Sequence, residues 1–448
     1  MTAKYYDAVI IGGGPAGVVA ALTAKKVYFN KKVALIRDKE KVIIPCAIPY
    51  IFKTLPSVKD NVMSDTPLKK AGIELIIDKV LKILPQKKEI ILEKNKKINY
   101  EKLILATGSK PAELPIKGVE KKGVWKIEKD LDYLKRLKEE VLRAKNIVII
   151  GGGFIGIEIA EELSSFREKN IVIVEKLDHC LAAVFDKEFA KIAEQRLREK
   201  GVKILTNTEI NEIKGKEKVE KVILNNGTEI KADIVIVSVG MKPNVKLAKE
   251  AGIKLGKYGA IEVDEYMRTE MKDIFAVGDC AETRDFFTGQ SIPVMLASTA
   301  TFEARVAALN LFELRFLKEN KGTLASFSTF INKVALAVTG VTENRAKREG
   351  FEIKVGYSRV KNTHPICLPG SQEIYLKLIF SDSSKRLIGA EIAGPKSCGE
   401  LINFLAFAIQ EKLTIKDLIL LQVATHPLLT AAPTVYPIIS AAKDALIK

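Results

Sequence analysis

Short aliphatic and β-branched runs recur along this chain, each followed by apolar residues at helical spacing. Residues 7–11 predict a first strand, and the helix behind it, about 16–27, carries Val18, Val19 and Leu22 at helical spacing. A second strand at 32–36 closes a β-α-β unit. The clearest amphipathic stretch is 128–145, with Leu131, Leu134, Leu137 and Val141 on one face and charges on the other. It leads into a strand at 146–150, a helix at 155–166 and a strand at 170–174, a second β-α-β unit. Strand-like segments joined by turns follow in each half, at 89–93 and across 218–230.

Beyond Asp279 the pattern changes. A helix near 299–315 is followed by strands at 326–331, 334–339, 351–359 and 373–380, a helix at 400–413 and a terminal helix from Pro437. This tail predicts a separate mixed α+β domain. The whole predicts an α/β chain of two Rossmann-like dinucleotide-binding domains plus a C-terminal α+β domain. The expected segments are 1–120, 121–244, 245–322 and 323–448, with the first and third forming one domain.

Both β-α-β units turn on the same glycine pattern. Val9-Ile10-Ile11 runs into Gly12-Gly13-Gly14-Pro15-Ala16-Gly17, and Val148-Ile149-Ile150 runs into Gly151-Gly152-Gly153-Phe154-Ile155-Gly156. In such a loop one glycine permits the tight turn, one admits the pyrophosphate to the backbone, and one lets helix and strand pack closely. The helix N-terminus then offers unpaired N–H groups to a diphosphate. Two copies in matching contexts imply two dinucleotide sites, most simply with electrons passing between them.

An acidic residue about 20 positions on usually holds the adenosine ribose. In the second copy that residue is Glu175, whose charge favours NADH over NADPH, while the neighbouring Lys176 weakens the preference. In the first copy the place holds Ile36 and Arg37, with Asp38 one step further; either Asp38 serves through a shifted turn or the ribose is held otherwise.

Composition adds limits. At 448 residues the chain exceeds one hydrophobic core. No apolar run approaches the ~20 residues that span a bilayer. The first strand begins almost at once, so no cleaved leader is expected. Five scattered cysteines form no disulfide framework or metal-ligand spacing, so no metal is expected and a reducing cytoplasm is the expected location. The net charge of +17 comes from lysines mixed with glutamates, without a compact basic cluster, so no nucleic-acid partner is expected. A thermophile's Lys/Glu-rich surface, or a field that draws in anionic substrates, would both suit it.

A third signature, Thr269 to Asp279, is an apolar strand ending in Gly278-Asp279. With Ala106-Thr107-Gly108, Val239-Gly240 and the two fingerprints, it resembles the two-dinucleotide-fold flavoprotein disulfide reductases over the whole chain. The resemblance implies a glutathione reductase-like fold with FAD on the first module and NADH, or alternatively NADPH, on the second. It assigns FAD to Gly12, Gly14, Pro15, Ala16, Gly17, Asp38, Val80, Ala106, Thr107, Gly108, Gly278, Asp279 and Ala297. Asp279 would bond the ribityl chain, and the helix after Ala297 would point at the flavin pyrimidine edge. The nicotinamide nucleotide falls to Gly151, Gly153, Ile155, Gly156, Glu175 and Gly240.

Cys46, in Pro45-Cys46-Ala47-Ile48-Pro49-Tyr50, places the chain within that resemblance. Cysteine-pair members carry a second cysteine five residues on, where this chain has Ile51. The pattern resembles the single-cysteine branch: coenzyme A-disulfide reductases, NADH oxidases and peroxidases, and NAD(P)H sulfur or persulfide reductases. A lone thiolate can form a mixed disulfide, a persulfide or a sulfenic acid. Peroxidases and water-forming oxidases carry a histidine where Pro15 stands, which turns the reading toward sulfur. The tail tyrosines of coenzyme A-disulfide reductases have no counterpart around His364-Pro365 or His426-Pro427. His426 resembles the acid–base histidine that cysteine-pair members lend to the partner's site, set against an equally weighted reading as a packed histidine in a turn. Lys53 and Glu158 are compared with a Lys–Glu pair beside the flavin. Cys180, Cys280, Cys367 and Cys398 are expected to be buried and inert.

The expected activity is thus an FAD-dependent NAD(P)H reduction of a disulfide, persulfide or polysulfide, coenzyme A-linked substrates included. The catalytic residues would be Cys46 and His426, in a homodimer. The alternatives are an NADH oxidase reducing oxygen, or a reductase of a small electron-transfer protein.

Overall fold

The computed structural model describes residues 4–316 and 320–448, and these group into two compact units. The first unit is Met1–Glu113, Ile127–Glu139 and Gly240–Thr323; the second is Leu114–Lys126, Glu140–Val239 and Leu324–Lys448. Compactness therefore places the second glycine module and the tail in one unit.

In the first unit strand Lys4–Ile11 lies inside a sheet, parallel to Val33–Arg37 on one side and Lys97–Leu105 on the other. Glu74–Ile77 extends one edge, Ile274–Ala276 pairs with Lys97–Leu105, and Val80–Leu84 and Glu89–Leu92 add an antiparallel ribbon. Covered on both faces, the stretches Ala8–Ile11 and Val33–Ile36 of the inner strands are buried throughout, so they read as apolar runs without alternation. Helix Pro15–Val27 buries Ala16, Gly17, Ala20, Ala21 and Ala24; such small residues let another helix approach closely, and Ala297–Leu309 packs there.

The second unit holds a parallel sheet in the order Lys203–Leu205, Asn170–Val174, Asn146–Ile150, Ile234–Val237, Val124–Lys126. Helices Phe154–Leu163 and Lys187–Glu199 belong to it, with a three-stranded antiparallel sheet from Ile210–Lys214, Lys221–Leu224 and Glu229–Lys231. The tail is a five-stranded antiparallel sheet, ordered Phe327–Ile331, Val334–Gly340, Leu387–Gly394, Glu373–Ser381, Ile353–Lys361. Helices Cys398–Gln410 and Pro437–Ile447 pack on it.

Several expected elements shift. The helix expected at 299–315 is Ala297–Leu309; the Asn310 carboxamide then accepts from the Arg315 and Phe316 N–H groups and turns the chain out of the helix. The amphipathic helix at 128–145 is Leu131–Arg143. The central strand Leu387–Gly394 and helix Lys187–Glu199 were not expected. The strand is buried at every position, glycines and Glu391 included, so it offers no alternation to read.

Candidate functional site

The two glycine loops have nearly the same geometry. Gly12 (φ +121°) and Gly151 (φ +102°) lie where side chains are disfavoured, and a Cβ on Gly12 would stand 2.0 Å from the Ala106 carbonyl oxygen. A Cβ on Gly17 would stand 1.9 Å from the Gly12 oxygen, and one on Gly156 2.0 Å from the Gly151 oxygen. Gly14 and Gly153, which cap the two helices, have open space where a Cβ would point, and neither helix receives a side-chain cap. The first-turn N–H groups of both helices are thus left for an anion. Two cradles of close backbone and open caps fit two dinucleotide diphosphates.

The middle glycines separate the modules. Over Gly13 lies Arg37, whose Cδ would be 2.6 Å from an added Cβ. Arg37 is buried and forms a two-pronged ion pair with Asp65, both contacts 2.7 Å, and its Nη2 also donates to the Glu40 carbonyl at 2.6 Å. That pairing holds the Asp65 carboxyl below its usual range. Arg37 is therefore committed to its own fold, and Asp38 is the exposed acidic residue at the end of this strand. Over Gly152 lie the Cys180 sulfur and Glu175. Glu175 Oε2 accepts the Gly152 N–H at 2.6 Å.

The remaining expected residues of the first unit converge on one network. Thr107 Oγ1 donates to the Asn244 carbonyl at 2.7 Å, and Asn244 returns bonds to Thr107 and Gly108. Gly108 (φ +67°), Gly240 (φ +105°) and Gly278 (φ +74°) supply the turns. Asp279 accepts a 2.6 Å bond from Ser109, and Lys129 lies 3.0 Å from Ser109 Oγ and 3.5 Å from Asp279 Oδ2. Asn244, Ser109 and Lys129 carry no motif of their own; only folding brings them to Asp279. Ala297 opens its helix without a side-chain cap. Val80 packs its side chain into the core, so only its backbone can face a ligand.

Cys46 is exposed on the 3₁₀ turn Pro45–Ala47. Its segment is pinned by the buried side chains of Ile48, Ile51 and Phe52 and by an antiparallel bridge between Ile43 and Val62. None of the five cysteines forms a disulfide. Cys180, Cys280 and Cys398 are buried, with burial pushing the thiols of all three up. Cys367 departs from expectation: it is exposed, in the loop after His364.

In the second unit His426 is exposed, and its Nδ1 accepts the Leu428 N–H at 3.3 Å, which puts the proton of the neutral ring on Nε2. Its loop is tied to that of His364, whose N–H donates to the Pro427 carbonyl at 3.0 Å. Glu158 accepts from Thr329 Oγ1 at 2.8 Å, and burial pushes its carboxyl up to about 7. Phe154, next to the second loop, stacks on Phe327 with ring centroids 5.1 Å apart. The carboxylates of Asp186, Glu188 and Glu391 converge as a cation site would, and the Lys377 ammonium stands among them.

The pyridine nucleotide-disulphide oxidoreductase family model matches residues 6–304, and that family's dimerisation-domain model matches residues 327–435. A relative from Pyrococcus horikoshii, an NAD(P)H coenzyme A polysulfide/persulfide reductase, is 35% identical over 86% of this chain and 87% of its own length. An NADH oxidase from Methanocaldococcus jannaschii is 32% identical over 98% of this chain and 99% of its own. The solved structure of an NAD-dependent persulfide reductase from A. fulgidus superposes with a TM-score of 0.89 at 31% identity, covering 98% of this chain and 83% of that one.

Proposed function

Because the chain belongs to the pyridine nucleotide-disulphide oxidoreductase family, we propose that it uses NADH to reduce the sulfur–sulfur bond of a persulfide or polysulfide through Cys46. It is an NAD(P)H-dependent flavoprotein oxidoreductase whose cofactors are FAD and NAD(P)H. The observation that carries the sulfur reading is the exposed lone cysteine on a pinned turn just after the first dinucleotide unit, with isoleucine at position 51.

The first cradle, Gly12 to Gly17 with Thr107, Gly108 and Asp279, would hold FAD. The second, Gly151 to Gly156 with Glu175, would hold the nicotinamide nucleotide. Bound there, FAD would supply the two-electron chemistry, accepting a hydride from NADH and making its electron pair available to sulfur. The chain's own part falls to Cys46. Its thiolate attacks the outer sulfur of R–S–SH; an S–S bond forms to Cys46 and the S–S bond of the substrate breaks, releasing RS⁻. Two electrons and one proton then convert the Cys46 persulfide to the thiolate and H₂S. The sum, NADH + RSSH → NAD⁺ + RS⁻ + H₂S, is balanced. His426, with Nε2 carrying the proton of its neutral ring, is offered across a homodimer as the donor that converts the released RS⁻ to RSH, regaining its proton from solvent. The dimerisation-domain match and the P. horikoshii relative support the homodimer and coenzyme A-linked substrates, respectively. Cytoplasmic location remains part of this reading; no helix among the described residues is long and apolar enough to cross a membrane. The domain reading pairs 1–120 with 245–322 for FAD, gives 121–244 to the nicotinamide nucleotide and 323–448 to the subunit interface.

The M. jannaschii relative favours a second reading, direct reduction of oxygen. One comparison separates the two: wild type against Cys46→Ser, with NADH and either polysulfide under anaerobic conditions or oxygen. The expected result is loss of at least about 100-fold in H₂S release with NADH still bleaching the flavin. Full sulfide release by the variant would overturn the cysteine mechanism. Oxygen turnover as fast as polysulfide turnover, unchanged in the variant, would establish the oxidase.

A further inference from the structure

A carboxyl with no part in the reaction above lies directly beneath the cofactor loop. Glu303 is on the buried face of helix Ala297–Leu309 and is 1% exposed. Its Oε2 accepts the Gly278 N–H at 2.8 Å, and Thr283 Oγ1 stands 3.5 Å from its Oε1. Its helix surrounds it with the buried alanines 300, 304 and 307, and helix Pro15–Val27 turns Ala16, Gly17 and Ala20 toward the same core. A Cβ on Gly278 would come within 3.0 Å of the Ala16 methyl and 3.3 Å of the Ala300 methyl, so the three segments leave little room between them. The charged group that acts on Glu303 is Asp279, of the same sign; the nearby cation, Lys129, sits 3.5 Å from Asp279 Oδ2. A carboxylate buried with one N–H and no cation is costly, and burial pushes Glu303 up to about 8.

On the FAD reading Gly278-Asp279 would lie against the flavin ribityl chain, and FAD carries a diphosphate. We propose that Glu303 is a proton-linked latch on this loop: it must be protonated for Gly278-Asp279 to hold FAD, so FAD binding takes up one proton and FAD is released as pH rises. The inference rests on the FAD reading and extends it to how the cofactor is retained. Neutral Glu303 accepts the Gly278 N–H and leaves Asp279 as the one anion of the pair. Ionised Glu303 would put a second negative charge beside Asp279 in a water-poor site and repel the incoming dianion. The balance is apoprotein carboxylate + H⁺ + FAD → holoprotein carboxylic acid. By linkage, FAD affinity is flat below the ionisation of Glu303 and falls tenfold per pH unit above it.

The test equilibrates dilute full-length holoprotein from about pH 6 to pH 10 and reads released FAD by its fluorescence, for wild type and Glu303→Gln. Wild type should show a level dissociation constant up to about pH 8 and a rise of about tenfold per unit beyond it; Glu303→Gln should stay level throughout. A variant that follows the wild-type rise, or a wild type without a rise, overturns the latch. Proton uptake measured with an indicator dye during FAD rebinding at about pH 9 gives a second readout: about one proton in wild type, none in Glu303→Gln. Equal uptake in both also overturns it. The underlying reading fails separately: wild type that carries no flavin at about pH 6 is not a flavoprotein.

Discussion

Glu175 folds its carboxylate back onto the loop of its own module: Oε2 accepts the Gly152 N–H at 2.6 Å, and Oε1 accepts the Leu177 N–H at 2.7 Å. The negative charge is thereby held at the strand end where the adenosine ribose of a dinucleotide belongs. A 2′-phosphate placed there meets a charge that cannot swing away. Lys176, beside it, is mostly exposed and pairs with Glu209 at 3.3 Å, a weak contact it can leave. Glu175→Ala should shift the ratio of kcat/KM for NADPH to that for NADH upward by about tenfold or more, roughly 1.4 kcal/mol. Lys176→Ala should move the ratio the other way. Steady-state kinetics with both nucleotides decide it, and an unchanged ratio in Glu175→Ala refutes the assignment.

The last glycine of each loop allows the two nucleotide sites to be broken one at a time. A methyl on Gly17 would lie 1.9 Å from the Gly12 oxygen, and one on Gly156 would lie 2.0 Å from the Gly151 oxygen. Neither distance is tolerable against backbone, so helix and strand must part. Gly17→Ala should purify without a flavin absorbance band. Gly156→Ala should keep the band, while NADH at concentrations that bleach wild type leaves it oxidised. Loss of flavin from both variants would contradict separate sites.

Lys377 is fully buried, with its ammonium against Asp186 and Glu188, 2.9 Å from Glu391 Oε2 and 3.6 Å from Glu343. Asp186 also receives the Glu343 and Asn344 N–H groups, so one ammonium holds together the start of helix Lys187–Glu199, the start of helix Glu343–Glu349 and two tail strands. Lys377→Met strands the buried carboxylates of Asp186 and Glu391 without their cation and should cost about 3–5 kcal/mol. The single tryptophan, Trp125, lies in the same unit and reports its unfolding in urea. A change below about 1 kcal/mol would show that the cluster does not hold the unit together.

Glu158 gives stability a pH dependence of definite sign. Its carboxyl rises from 4.5 to about 7 because burial disfavours the anion. The native state therefore keeps a proton that the unfolded chain releases. This contribution is complete below about pH 4.5 and is lost as pH climbs toward 7. Glu158→Gln should flatten the decline between about pH 5 and 8, a difference of about 1–3 kcal/mol after allowance for partial exposure. Urea midpoints followed at Trp125 test this; parallel curves for wild type and variant would rule it out.

What could be read from the chain were features whose chemistry is local. Gly12 and Gly151, with their helix starts, announce their loop geometry because a tight turn, a close approach and an open cap are met by adjacent residues. The lone Cys46 with Ile51 in place of a second cysteine is legible for the same reason. Arg37 shows where local reading stops: it stands where an acidic residue for the ribose is expected, and its guanidinium is bound to Asp65, a partner named only by folding. Cys367, expected to be buried, is exposed because its loop carries it outward.

The sequence by itself determined two dinucleotide modules, a tail of another architecture and one candidate redox thiol, since periodicity and glycine spacing are properties of neighbouring residues. Tertiary structure alone decided the rest. Leu387–Gly394 is a strand because sheet neighbours cover it on both sides, and Glu391 can be buried in it because Lys377 on the adjacent strand supplies the charge. Ser109 and Lys129 reach Asp279, and Glu303 reaches Gly278, across gaps in the chain that no local pattern spans. A buried charge is stabilised by whatever lies within a few ångströms of it, and that set is fixed only when the chain has folded.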